Sequence, residues 1–583
     1  MSGFKVGYPV LIDGAKSSNG SRRSFPAGVA ASLLAVALLF APLTSGIPKA
    51  YDLRDHLGAT LQVLHSLQSG DFYPRWLSEF HAGFGEPTLL FYPPGLYFVS
   101  APLSALLGGD VLSGLFAALA LFAFAGCLGA FAFVRRRFTT AAGALAAAAY
   151  GLLPFRVFEI YGAGLDSSFA AWSLLPWVLI CLEDCVEEEG AGRASRPGVA
   201  AWPLLLAAMT LLNLPAVVLL LYLTAFWLLV RALALRKLAG APRVLGLAIW
   251  GAAIAGVHVI PALVEMREVQ ILGEELYRGN FLFQGQGFGM GEGIRLVFDR
   301  MGLIPGIALA ASLVALGAAK TSGDPDLDRR RRSFTLLVGL FGCASLFFAT
   351  AAARWAWEIL PVLQKVNLPW RLLEPLSASA ALASAAAAVV LARPGGARAA
   401  IRLGVLVLLA GLALFGLVFD GALAAANGKM SAGQTRAAIP QFARKEAYFL
   451  PKGARRASEM ADVPPLACDQ PCGVAVIAQR PALRRFRVAA QAPVHLAVRT
   501  YYFPGWTARL VRGASAEPLP IGAEPGTGRI VVEVPPGDNL VELRFGSTVP
   551  RRVGGTVSVL ALVAWVAWIA VRRRRRLAAA GPA

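Results

Sequence analysis

The sequence predicts a polytopic α-helical membrane protein of about twelve transmembrane helices, with an external β-sandwich domain between the last two of them. Three observations predict it. Of 583 residues, 56% are hydrophobic and 15% charged, against about 25% charged in ordinary soluble domains, which excludes a soluble multidomain enzyme. Apolar runs of about 18 residues or more recur from Phe25 to Val571, each long enough to cross a hydrocarbon core of roughly 30 Å. The stretch 426–553 has a different pattern, with short alternating segments between turn residues.

From the N-terminus, residues 1–24 read as a cytoplasmic tail carrying Lys16, Arg22 and Arg23. The apolar run Phe25–Leu43 exceeds the roughly 7–15 residues of a signal-peptide core and lacks a small-x-small cleavage site, so it reads as an uncleaved first span. Residues 48–110 then form a long first external segment. Within it, TLLFYPPGLYFVSAPLSALLG is apolar, but a full crossing there would put Arg135, Arg136 and Arg137 outside, and Pro93-Pro94 interrupts a helix; an interfacial or re-entrant helix is expected. Further spans are expected near 111–134, 141–160, 167–182, 199–213, 214–231, 244–262, 301–319, 334–352, 374–393, 402–425 and 554–571. The domain boundaries are thus 1–24 (tail), 25–425 (membrane domain), 426–553 (external β-rich domain), 554–571 (last helix) and 572–583 (basic cytoplasmic tail).

The net charge of +20 would suit a nucleic-acid partner only if gathered on one folded face. Instead the basic residues cluster at span ends, at Arg135–Arg137, Arg329–Arg332 and Arg572–Arg576, as cytoplasmic loops do under the positive-inside rule. No nucleic-acid partner is expected, and both termini are placed on the cytoplasmic side. The β-rich domain contains HLAVRTYYF, FRVAAQAPV and RIVVEVPPGDNLVELRF, in which PPGDN reads as a hairpin turn. Cys468 and Cys472 lie there on the oxidising side and are a disulfide candidate, whereas Cys127, Cys181, Cys185 and Cys343 lie in or beside apolar runs.

Chemistry is sought in the scarce polar residues on the external boundary. Asp52 and His56, at i and i+4 just after the first span, share a helix face; a carboxylate there can serve as a general base with the imidazole orienting a substrate, or it can simply cap the helix. In GDFYPRW, Arg75 beside Trp76 suits an anionic headgroup or ordinary interfacial anchoring. PFRVFEIYGAGLDSSFAAW carries Arg156 and Glu159 near one span's end and Asp166 opening the next, where a cap is the alternative reading. VIPALVEMREVQI adds Glu265, and LPVLQKVNLPWRLLEP adds Trp370 and Arg371. The five histidines show no HxxxH or HExxH spacing, and no GxxxxGK[ST] string occurs. No cofactor is predicted, and no motif supports a divalent metal.

Taken in order, Asp52, His56, GDFYPRW, GFGEPTLLFYPP, the Tyr161-to-Asp166 turn, IPALVE, NLPWR and a β-rich domain with YYFPGW ahead of a last span and Arg tail resemble a bacterial group. These are the GT-C-like, YfhO-like integral membrane proteins, often labelled "6-pyruvoyl-tetrahydropterin synthase-related". The resemblance runs over about residues 25 to 575. It implies a GT-C-like membrane domain and a glycosyltransferase that takes sugars from polyprenyl-phosphate donors on the external face, with the catalytic carboxylate in the first external loop. Asp52 falls in that position, with Asp55 in reserve, and Asp166 stands where relatives show Glu in a YxRGxxxE turn, here YGAGLD. A pterin synthase would need a zinc-bound histidine cluster in a soluble fold, and the sequence offers neither.

The resulting expectation is an inverting transfer of a hexose or pentose from a polyprenyl-phosphate donor to an envelope glycan, lipid or protein acceptor. Asp52 and Asp166 are the catalytic candidates. The substrate-binding candidates are His56, Asp55, Arg75, Trp76, Arg156, Glu265, Trp370 and Arg371, and membrane lipid is the surrounding partner. The alternatives are a transporter or flippase for a lipid or polysaccharide precursor, which should carry midplane ionisable groups on broken helices, and a non-catalytic envelope assembly factor.

Overall fold

The structure, a computed structural model, describes residues 18–187, 197–236, 238, 240–271, 276–284, 292–319, 322–391, 428–445, 448–513 and 515–579. Among these, nine helices are long and apolar enough to cross a membrane, and a bent pair, Ala241–Ile254 with Gly256–Glu268, turns by 76° and makes up to ten. The protein is a multi-pass membrane protein with a C-terminal β-rich domain.

Two of the about twelve expected spans take a different form. The stretch near 199–213 forms a helix of 16 residues, Pro197–Leu212, which at 1.5 Å per residue reaches roughly 24 Å and falls short of the hydrocarbon core. The stretch near 244–262 breaks at Ala255 into the bent pair. The predicted span 402–425 lies outside the described residues. Two helices also outrun their apolar runs: the first begins at Ser18 and the last covers Val549–Ala579, because an apolar run marks only the part of a helix that lipid surrounds. The segment read as interfacial or re-entrant forms the 12-residue helix Gly95–Leu106 after Pro94, packed on Val111–Arg135.

Polar residues hold the two ends of the bundle. Asp110 caps Val111–Arg135 by accepting from the Ser113 amide, and it also accepts from Arg436 of the β-rich part at 2.6 Å. At the far end of that helix, Arg136 pairs with Asp184 at 3.2 Å and Arg137 pairs with Glu183. The arginine run therefore meets buried carboxylates as well as solvent.

The β-rich domain is two antiparallel sheets packed face to face. The five-stranded sheet runs Ser515–Leu519, Trp506–Arg512, Gly537–Phe545, Leu483–Ala490 and Cys472–Arg480 across its width. The four-stranded sheet runs Ile521–Ala523, Arg529–Val534, Val494–Tyr501 and Leu466–Cys468. Alternation buries Phe486, Val488, Leu496, Val498, Ile530, Val532, Val541 and Leu543 between them. PPGDN is not a hairpin turn, because Arg529–Val534 pairs in the smaller sheet and Gly537–Phe545 in the larger. The turn carries the chain across the sandwich, and local sequence looks the same in both cases. A disulfide between Cys468 and Cys472 joins the edge strands of the two sheets.

Strand pairing, a backbone bond and a buried ion pair are among the contacts that fasten this domain to the bundle. Ile47–Pro48 pairs with Lys429–Met430, and Val269–Ile271 pairs with Phe449–Pro451. The Phe84 carbonyl accepts from the Tyr501 amide at 2.9 Å. Finally, Glu265 accepts from Arg551 at 2.9 and 3.0 Å and from the Thr548 hydroxyl.

Candidate active site

Asp52 ends the short connection from the first span and precedes the helix Leu53–Gln68. Two backbone bonds fix it against the turn that links two membrane helices. The Asp52 amide donates to the Ala163 carbonyl at 2.8 Å and the Tyr51 amide to the Gly162 carbonyl at 3.4 Å. That turn is a π-helical segment, Glu159–Ala163, stopped by Gly164 in the left-handed conformation at φ +69°. A Cβ at Gly164 would lie 2.5 Å from the Leu53 amide nitrogen, so both the conformation and the space require glycine. Gly164→Ala is expected to push Asp52 off position and lower turnover about 10- to 100-fold with the fold retained, read as initial rate beside a melting curve.

Although Asp52 occupies the cap position of Leu53–Gln68, its side chain makes no capping bond. The half-buried carboxylate instead accepts from the Tyr448 hydroxyl at 3.4 Å. Burial pushes it up to about 6, helped by the neighbouring Asp55 charge and opposed by Arg371, Lys445 and the Tyr448 bond. Asp55 is also raised by burial and is held by an ion pair with Lys445.

Asp166 is fully buried, within electrostatic reach of Asp52. It sits in the first turn of Asp166–Trp172, yet both carboxylate oxygens lack a hydrogen-bond partner among the described residues. The capping explanation therefore fails for both aspartates. Close by, the Tyr92 hydroxyl donates to Ser167 Oγ at 3.0 Å and lies within the fields of Asp52, Asp166 and Arg371. Arg371, from the short helical turn Pro369–Leu372, lies within electrostatic reach of Asp52, Tyr92 and Glu159, and its buried Nε has no partner among the described residues. Two carboxylates, a guanidinium and a tyrosine thus converge on the β-domain side of the bundle.

The other predicted site residues have different partners, and of these His56 lies beside Tyr92. His56 is buried, its Nδ1 lies 3.0 Å from the Tyr97 hydroxyl and its ring also bonds the Gly164 backbone. Burial drives it down to about 3, so it stands as a neutral imidazole bracing the helix against the turn. Trp76 is 1% exposed and packs against Phe503, Trp506 and Phe545, joining the first loop to the sandwich core. Arg75 stacks over Tyr73 at 4.5 Å with Asp71 and Glu265 as the nearby acids, away from Asp52. Glu265 is committed to Arg551. Trp370 is buried among Phe155, Phe158 and Phe298, and Arg156 is wholly buried, donating to Glu374 and Ser173 at 2.6 Å each. In each case an aromatic or charged residue beside a span end reads the same whether it faces the interface or the core.

Sequence reasoning missed Tyr92, Tyr97, Lys445 and Tyr448. The first two lie in the run read as a membrane-inserted helix, where tyrosine passes for an anchor. The other two come from a segment nearly four hundred residues away, with no local signal. Among the described residues no group of three or more His, Cys, Asp or Glu side chains is arranged to hold a metal ion.

No protein-family model and no curated protein matches the chain. Among solved structures it is similar to the archaeal oligosaccharyltransferase AglB from Archaeoglobus fulgidus in complex with an inhibitory peptide and a dolichol-phosphate, at 13% identity and a TM-score of 0.45, over 72% of this chain and 58% of that one. It is also similar to ArnT from Cupriavidus metallidurans bound to undecaprenyl phosphate, at 16% identity and a TM-score of 0.41, over 73% and 74%. The chain thus spans less than two thirds of the oligosaccharyltransferase's length.

Proposed function

We propose that the protein is a GT-C-like glycosyltransferase of the bacterial inner membrane that moves a hexose or pentose from a polyprenyl-phosphate donor to an envelope acceptor on the external face. The observation that carries the reading is that Asp52, which makes no capping bond, stands within electrostatic reach of Asp166 and Arg371 on the β-domain side of the bundle. Asp52 takes the proton of an acceptor hydroxyl, whose oxygen attacks the anomeric carbon as the bond from that carbon to the phosphate oxygen breaks. Arg371 neutralises the departing lipid phosphate. Asp166 offers its two free oxygens to a substrate hydroxyl. The acceptor displaces the phosphate in one step, so the product has inverted anomeric configuration.

The β-rich domain, reaching the site through Lys445 and Tyr448, covers it from the aqueous side. The test uses the full-length protein in proteoliposomes with radiolabelled undecaprenyl-phosphate hexoses and pentoses and an envelope extract as acceptor. Label should pass to the acceptor in the inverted configuration. Retention of configuration would replace the single displacement with a covalent intermediate, and absence of transfer from every donor would overturn the reading.

A further inference from the structure

Residues 443–445 bind the first loop through successive backbone groups, and residues 448–451 follow on the same side of the bundle. The Ala443 carbonyl accepts from Gln62 Nε2 at 3.1 Å, and the Arg444 and Lys445 carbonyls accept from the Ala82 and His81 amides at 2.8 and 2.9 Å. Lys445 pairs with Asp55, and Phe449–Pro451 then pairs as a strand with Val269–Ile271. Between these anchors Tyr448 is 46% exposed, and its hydroxyl is the group in contact with Asp52 Oδ1. A tyrosine held at both flanks, with its ring open to water and its hydroxyl on a carboxylate that makes no capping bond, is placed for more than packing.

Resting on the reading of Asp52 as the general base, we propose that Tyr448 is a positioning residue of the active centre: its hydroxyl holds Asp52 Oδ1 and leaves Oδ2 free to take the acceptor proton. The β-rich domain then contributes to the reacting geometry as well as to its cover. The hydroxyl donates to the ionised form of Asp52 and stabilises it, whereas Asp55 opposes it. The other charged and titratable groups facing Asp52 are Arg371, Tyr92 and Tyr97 from the bundle, Asp166 across the turn, and Lys445 from the same strap.

The test needs no substrate. Infrared difference spectra of the full-length protein in lipid are recorded across pH 4 to 9 for wild type, Tyr448→Phe, Asp55→Asn and Asp52→Asn, the last assigning the Asp52 band. Tyr448→Phe keeps the ring and removes only the donor, and should raise the Asp52 midpoint by a few tenths to about one pH unit. Asp55→Asn should lower it, since a like charge is lost and Lys445 is freed. In the transfer assay Tyr448→Phe should cut kcat/KM about 1.5- to 6-fold near pH 6, as the ionised fraction of Asp52 falls, and much less at pH 8. An Asp52 midpoint unmoved by Tyr448→Phe overturns the proposal even if transfer is normal. A shifted midpoint in a protein that transfers no sugar would leave the contact standing and remove only the glycosyltransferase reading.

Discussion

Asp52→Asn is expected to reduce turnover about 10²- to 10⁴-fold, the range a positioned general base supplies, and to abolish the acid limb of the wild-type pH profile near pH 6. The limb follows from burial. Confinement between the first loop, the Gly164 turn and Arg371 disfavours the charged carboxylate and lifts it to about 6, so the basic form accumulates as pH rises through that value. The same shift has a stability consequence of opposite sense. Because the folded-state value lies above the ordinary carboxylate value of 3.8, the folded protein holds a proton that the unfolded chain has released. The resulting stabilisation is present below about pH 4 and is lost as pH rises through about 6. Asn, which never ionises, should therefore melt higher than wild type at pH 7.5 by an amount of order 1–2 kcal/mol, and should show no such advantage at pH 4. A variant both inactive and less stable at neutral pH would point to a fold defect, and the base assignment would fall with it.

The second large effect concerns Arg156. Its guanidinium is wholly buried, donates to Glu374 and Ser173, and lies over the faces of Tyr150 and Phe169 at 4.7 and 4.1 Å. Glu159, also buried, lies within its field. Arg156→Met strips both carboxyl groups of that cation and should cost about 3–5 kcal/mol, as unpairing a buried charge does. Arg156→Met combined with Glu374→Met removes charge and counter-charge together and should recover much of the loss. Melting of the detergent-solubilised proteins reads both. If the double variant melts no higher than the single one, the pair is not the stabilising unit and the Ser173 and Tyr150 bonds carry more of the energy.

The membrane domain was legible because each span satisfies its backbone internally and shows lipid an apolar surface, a property that belongs to contiguous residues. Where the chain departed from that rule, at the bend after Ile254 and in the short helix Pro197–Leu212, hydropathy alone read full crossings. The sandwich was legible from alternation, but not which strands pair, so PPGDN was read as a hairpin while its flanking strands lie in different sheets. Asp52, Asp166 and Arg371 could be picked out as scarce polar groups at span ends. Trp76, Glu265 and Trp370 met the same criterion and are engaged elsewhere, the two tryptophans in aromatic packing and Glu265 in its ion pair with Arg551. Tyr448 could not be found at all from local pattern, since its partner stands 396 positions earlier and only the closed fold brings them together.

The last helix meets the bundle along one narrow stripe. Gly554 lies so close to Gly256 that a Cβ would come 2.6 Å from its carbonyl oxygen. Further along, Ser558 accepts from the Val257 amide at 2.7 Å, the Ala561 carbonyl accepts from Trp250, and Trp565 donates to the Ala200 carbonyl. Only 6% of the membrane window of this helix is buried. Its outer face is thus open to drift among apolar residues, limited only by solubility in lipid, while the stripe tolerates almost no change. Two descendants of one ancestor could keep this architecture and share, along the whole helix, little beyond a glycine, a serine and a tryptophan.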